Sequence, residues 1–123
     1  MLNTLDKKIA KIHFRNGFKK RNVQVNTLNF FISKYFKKLK KIDFLNIDVE
    51  GVELNVLKSL NFNRYKPQLI CIEIHNSKNM YDTNYDYLKS NVIYKYLINK
   101  KYKLVWKKKY SFIFERRNDK KNL

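Results

Sequence analysis

Two groups of charged side chains in the middle of the chain have the composition of a catalytic site. They are Asp48, Glu50 and Glu53 after the apolar run FLNI, and Glu73 and His75 at the end of the run LICIEIH. An imidazole beside a carboxylate is the pairing expected of a general base whose orientation is fixed by a neighbour. Together the two groups could deprotonate an acceptor that is held between them.

Each of these residues also has an ordinary structural interpretation. Glu50 and Glu53 fall in the first turn at the start of the predicted helix, where a carboxylate interacts favourably with the helix dipole. His75 is equally well explained as a loop histidine that is exposed or satisfied by its neighbours. Asp48 is harder to explain in this way, because a charge directly after a buried strand is costly unless it is paired or reaches a cleft.

The apolar pattern predicts strands and helices that alternate along the chain. The predicted strands span 23–25, 44–47, 69–74, 102–106 and 111–115. The predicted helices span 3–14, 29–40, 52–60 and 85–97. The polar stretch 76–84 is a long connection directly after a strand, a position at which loops often carry function.

This alternation indicates an α/β fold with right-handed crossovers and a mostly parallel sheet. The terminal hairpin can add an antiparallel strand at the edge of that sheet. Ligands of open parallel sheets bind outside the carboxyl ends of the strands, so we expect Asp48 and Glu73 to face one cleft. The predicted domain spans 23–116, between an N-terminal helix with a basic loop (1–22) and a basic tail (117–123).

Three segments of the chain form a specific series of motifs: VNTLNFFI, IDFLNIDVEGVELNVLKS and KPQLICIEIH. They resemble, in the same order, the patterns V-x-x-TLD, IDFLKIDVEGAELEVLKG and KPxIIxIEIH of the FkbM family of S-adenosylmethionine-dependent methyltransferases. The resemblance covers 23–115 in element order, and its diagnostic part is 42–75. It implies a Rossmann-like class I methyltransferase fold, of which this chain would be the C-terminal portion.

The resemblance also implies methyl transfer from S-adenosylmethionine to an acceptor, for which we expect a hydroxyl of a sugar or another small polar metabolite. Asp48 would lie near the transferred methyl group, and Asp48 and Glu50 would help to bind the cofactor. The catalytic group would be Asp48, Glu73 and His75, with His75 as the base. A divalent metal between the carboxylates is conceivable, but the spacing does not require one.

The chain departs from the family pattern in three respects. Asn46 stands where the family has Lys and Asn29 where it has Asp, so the roles of those two positions are in doubt. The glycine-rich loop D-x-G-A-N-x-G is missing, and Gly17 and Gly51 are too far apart to form one cradling turn. We therefore expect the chain to lack the cofactor-binding N-terminal half, and to need that half or a partner chain to complete its sheet.

The composition narrows the range of partners. A net charge of +18 attracts phosphate backbones, but scattered Lys is commonly only solvated surface. The alternative function is a non-catalytic basic module that binds nucleic acid or docks on a partner, although the usual signatures of nucleic-acid binding are not evident. Cys71 is the only cysteine, which fits a reducing cytoplasm, and no apolar run is long enough for a bilayer. We expect a cytoplasmic protein that acts on a small-molecule acceptor, without a membrane or nucleic-acid partner.

Overall fold

The computed structural model describes residues 10, 11, 17, 19, 21–75 and 86–117. Its helices are α1 (Leu28–Tyr35), α2 (Glu53–Lys58), α3 (Asp86–Ser90) and α4 (Val92–Asn99). Its strands are β1 (Phe44–Ile47), β2 (Leu69–Glu73), β3 (Tyr102–Lys108) and β4 (Ser111–Arg116). Of the helix predicted over 3–14, the structure describes only Ala10 and Lys11, which are both helical. The connection predicted over 76–84 lies outside the described residues.

The strand predicted over 23–25 is wrong. Residues 21–27 form neither helix nor strand, and Val23 and Val25 are 62% and 66% exposed. Two alternating apolar residues are too few to fix a strand, because a strand is stabilised by pairing with its neighbours across a sheet.

Helix α1 is shorter than the predicted 29–40 and buries a narrower face. Thr27 caps its start, since the Thr27 hydroxyl accepts a hydrogen bond from the Phe30 amide at 3.1 Å. The helix ends at Tyr35, and Phe36 already has non-helical backbone angles. Ile32 is 5% exposed, whereas Tyr35 and Phe36 are 62% and 60% exposed. The aromatic end of the predicted apolar face therefore lies on the surface.

The four strands form one sheet in the order β1-β2-β4-β3. Strands β1 and β2 are parallel, and β4 is antiparallel to both β2 and β3. The predicted mostly parallel sheet is therefore wrong, because two of the three pairs of neighbouring strands are antiparallel. The reversed strand is also interior, not at the edge as predicted.

The side chains of the hairpin explain why β4 and not β3 joins β2. Phe112 and Phe114 in β4 are fully buried and pair with Ile72 and Ile70 of β2. Strand β3 carries several lysines, which suit an edge strand because their charge discourages further pairing.

The core lies on the face of the sheet to which Ile72 and Phe112 belong. It also contains apolar residues from the helices and from the segment between α2 and β2, including Ile32, Leu57, Phe62, Ile93 and Leu97. On the opposite face, Phe44 and Trp106 are 54% and 46% exposed. Among the described helices, none has the length and apolarity needed to span a bilayer.

Candidate functional site

The chain leaves β1 through a left-handed turn. Glu50 has φ 55° and Gly51 has φ 114°. The first value is uncommon but accessible to a residue with a side chain, whereas the second is essentially restricted to glycine. The glycine of the DVEG segment is therefore required by the backbone, which must turn directly from β1 into α2.

A buried carboxylate holds this turn from inside. Glu53 is 5% exposed, and its Oε1 accepts hydrogen bonds from the Gly51 amide at 3.0 Å and the Val49 amide at 3.4 Å. These charge-assisted bonds offset the loss of water around the carboxylate. The structural interpretation of Glu53 thus agrees with the geometry: the side chain positions the loop that carries Asp48 and Glu50.

Asp48 and Glu73 lie at neighbouring strand ends. The parallel register pairs Ile47 with Ile72, so Asp48 and Glu73 are the next residues along the two strands. Burial raises the pKa of the Cys71 thiol, and the negative charges of Glu73 and Asp48 raise it further. Both carboxylates are therefore close enough to Cys71 to act on the same thiol. Asp48 is exposed and Glu50 is partly buried.

His75 is oriented from two sides. Its Nε2 lies 3.1 Å from Oε2 of Glu73, and since the carboxylate is the acceptor, Nε2 donates. Its ring centroid is 4.6 Å from that of Tyr110. In the neutral imidazole this leaves a lone pair on Nδ1, which is the form that a general base requires. The imidazole and the Glu73 side chain are 47% and 26% exposed, so solvent and solutes reach the pair.

Tyr110 and Cys71 lie beside the predicted site residues, although neither was predicted from the sequence as part of the site. Tyr110 was missed because the hairpin was predicted at the sheet edge, away from β2. The insertion of β4 beside β2 brings the hairpin turn over His75, and the Ile74 amide donates to the Tyr110 carbonyl at 2.8 Å. The signal for Cys71 was present, because residues two apart on a strand share a face and Cys71 precedes Glu73 by two.

The described residues at this edge of the sheet include carboxylates but no glycine-rich turn. Asp48 and Glu73 bring two carboxylates to neighbouring strand ends, and Glu50 follows Asp48 by two residues along the chain. Gly51 lies in the turn after β1, and Gly17 is exposed, with no atom within 4 Å of the position that a Cβ would take, so the described residues supply no glycine-rich cradle. Within those residues, no group of three or more His, Cys, Asp or Glu side chains could hold a metal ion.

A protein-family model matches most of the chain. The family model described as the Methyltransferase FkbM domain matches residues 3–103. The matched range includes Asp48, Glu50, Glu73 and His75, and it ends at the start of β3. The curated proteins and the solved structures give no match. Because the match spans most of the 123 residues, the chain belongs to the FkbM methyltransferase domain family.

Proposed function

We propose that this chain forms the acceptor side of an S-adenosylmethionine-dependent methyltransferase that methylates a hydroxyl of a sugar or another small polar metabolite. The observation that carries the proposal is the Glu73–His75 pair at 3.1 Å, next to Asp48 on the neighbouring strand end. A Rossmann-like arrangement is part of the proposal. It is supported by the common direction of β1, β2 and β3 and by the reversed strand β4 between β2 and β3.

In this mechanism His75 accepts the proton of the acceptor hydroxyl at Nδ1, while Glu73 holds the ring and stabilises the imidazolium that forms. Tyr110 limits the rotation of the ring by its contact at 4.6 Å. When it is bound, S-adenosylmethionine supplies an electrophilic methyl group. Asp48 and Glu50 favour the positive charge of the cofactor and, with Glu73, orient the acceptor.

The glycine-rich part of the cofactor site is proposed to come from a partner chain or segment that pairs with β1. Among the described strands, β1 pairs with β2 alone, so its other edge has backbone groups available for pairing. Phe44 on β1 is 54% exposed, which leaves apolar surface beside that edge for a partner to cover. A cytoplasmic location, consistent with the single cysteine, belongs to the same proposal.

The test is transfer of a labelled methyl group from S-adenosylmethionine to a panel of sugars and small hydroxyl compounds. The chain is assayed alone and as the complex that purifies with it under native conditions. We expect transfer by the complex, loss of transfer in His75→Gln, and unchanged transfer in Lys38→Gln, an exposed residue outside the site. Methyl transfer that is equally fast with Gln at position 75 would rule out the assigned base.

Titration calorimetry with S-adenosylmethionine tests the need for a partner separately. We expect weak binding by the isolated chain, because it contributes carboxylates but no glycine-rich turn. Tight binding by the chain alone would contradict the partner proposal and leave the methyl-transfer proposal intact.

A second candidate function, a non-catalytic module that docks on a partner, is favoured by the exposed aromatic surface. Phe36, Phe44 and Trp106 are 60%, 54% and 46% exposed. The discriminating result is a stoichiometric complex, measured by native mass spectrometry, that transfers no methyl group to any acceptor. A nucleic-acid-binding variant of this function predicts affinity for random oligonucleotides that falls steeply with salt.

A further inference from the structure

A cleft of about 380 Å³ opens at the end of the sheet opposite to Asp48 and Glu73. It lies where β2 and β3 begin and β4 ends, because the amide of Arg116 in β4 donates to the carbonyl of Gln68 just before β2. Five of the lining residues are cationic and none is acidic. The cationic residues are Lys66, Lys100, Lys101, Arg116 and Arg117.

The three segments that carry these cations are tied together by the fold. The Arg117 amide donates to the Lys101 carbonyl at 2.8 Å, which joins the end of β4 to the turn after α4. The Tyr102 hydroxyl donates to the Pro67 carbonyl at 2.6 Å, which joins β3 to the segment before β2. The backbone therefore holds the segments that carry these positive charges near one another.

Within the described residues, neutral groups contact two of these cations, Lys100 and Arg116. The Lys100 Nζ lies 5.7 Å from the Phe62 ring centroid, and the Arg116 Nη1 lies 3.5 Å from the Lys66 carbonyl. The lysine–carboxylate ion pairs found in the described part of the chain are Lys41–Asp43 and Lys103–Glu115, which use none of the five. The cleft thus concentrates positive charge that a bound anion would neutralise.

We propose that this cleft binds a small ligand that carries two or more phosphate groups. Phosphate oxygens accept hydrogen bonds from ammonium and guanidinium groups, and the Arg fork binds two of them at once. The volume lies within the range typical of small-molecule sites. The aromatic residues of the lining, Phe62 and Tyr102, are 7% and 1% exposed, so their ring faces are not available to stack on nucleic-acid bases.

The first test is titration calorimetry with inorganic tripolyphosphate at low salt. The cleft variant is Lys100→Gln with Arg116→Gln, and the matched control is Lys37→Gln with Lys38→Gln, two exposed residues after α1. Both variants lose two positive charges. We expect affinity to fall roughly tenfold or more in the cleft variant and less than about twofold in the control, because only the first removes direct contacts to phosphate. Equal weakening in the two variants, or no binding by the unmodified chain, overturns the proposal.

Arg116→Lys is a second cleft variant that keeps the charge and removes the fork. An intermediate loss of affinity is expected, and thermal melting curves establish that each variant is folded before titration. Tripolyphosphate should also raise the melting temperature of the unmodified chain and of the control, but not that of the double cleft variant.

A random single-stranded oligonucleotide distinguishes the two sources of phosphate. For a small-ligand site, oligonucleotide affinity should fall by the same modest factor in the cleft and control variants, as expected for binding to total charge. A loss of oligonucleotide binding confined to the cleft variant would show that the site follows a nucleic-acid backbone, and would overturn the assignment to a small ligand.

Discussion

The two ends of the sheet carry different groups of charged side chains and are held in place by different means. At the carboxyl end, the buried side chain of Glu53 fixes a left-handed turn that carries acidic residues. At the amino end, cationic residues from three segments are fixed by backbone hydrogen bonds and by the Tyr102 hydroxyl. The loop at one end is held by a single buried carboxylate, whereas the segments at the other end are held by backbone hydrogen bonds and one tyrosine hydroxyl.

The two groups of charged side chains differ in whether the amino-acid composition alone would produce them. The chain has 28 basic and 10 acidic residues, so a group of cations anywhere on the surface is expected from composition alone. A group of carboxylates at one strand end is not, and it therefore indicates function already in the sequence. The basic cleft is distinguished from ordinary surface only by its enclosure and its rigid frame, which are properties of the fold. Because the ends are far apart, a substitution at one should leave the other unchanged.

The largest expected effect comes from removing the base at the acidic end. His75→Gln should lower the rate of methyl transfer by roughly a hundredfold or more, because Gln cannot accept the proton. Tyr110→Phe is the control, since it keeps the ring against His75 and should retain nearly full activity. Tripolyphosphate affinity should be unchanged in both variants. Coupled losses of methyl transfer and phosphate binding would show that the two ends are not independent.

Most elements from α1 onward could be predicted from apolar periodicity, because each buries one face against the same core. The single helix predicted over 85–97 is wrong, since Asn91 caps the start of α4 and separates it from α3. The order of the strands could not be predicted. Each strand of the hairpin contains three consecutive apolar residues, 104–106 in β3 and 112–114 in β4, and the sequence alone does not say which strand pairs with β2. The decision depends on the fit of Phe112 and Phe114 against Ile72 and Ile70 across the sheet, which is a long-range property.

The acidic group at the site could be predicted for a related reason. The residues that follow two adjacent parallel strands are brought together by the register, and Asp48 and Glu73 are such residues. The contact between His75 and Tyr110 depends on the position of β4 in the sheet. It could not be predicted, because the order of the strands could not be predicted. The roles of Asp48, Glu50, Glu73 and His75 in binding and catalysis stay predictions.

The acidic end should be the more sensitive to loss of one side chain, because a single residue orders it. Glu53→Ala removes a buried acceptor of two backbone amides and should lower the free energy of unfolding by about 2 kcal/mol. Glu53→Gln keeps one acceptor oxygen and should lower it by roughly half as much. Urea denaturation measures both. A loss below about 0.5 kcal/mol in Glu53→Ala, as for an ordinary surface position, would contradict the role of Glu53 in the turn.

The backbone of the same turn provides a smaller effect. Gly51→Ala places a Cβ at φ 114° and should lower the free energy of unfolding by about 1.5 kcal/mol through backbone strain. Asn55→Ala, at an exposed position in α2, is the control and should be neutral or slightly stabilising. Chemical denaturation of both variants compares them. Equal stability of Gly51→Ala and the unmodified chain would mean that the turn accepts a side chain and that the DVEG glycine has another role.

The smallest effect tests the frame of the basic end. Tyr102→Phe removes the buried hydrogen bond to the Pro67 carbonyl and should lower the free energy of unfolding by about 1 kcal/mol at neutral pH. Burial raises the pKa of Tyr102 to about 12, although the charge of Arg116 lowers it in part. A raised pKa stabilises the fold fully below the ordinary pKa near 10, and this contribution is lost as the pH rises through 12. The stability difference between the unmodified chain and Tyr102→Phe should therefore shrink as the pH rises from 10 toward 12. A difference that is constant over that interval would show that the hydroxyl is not buried against the Pro67 carbonyl, and the basic end would then lack the frame assigned to it.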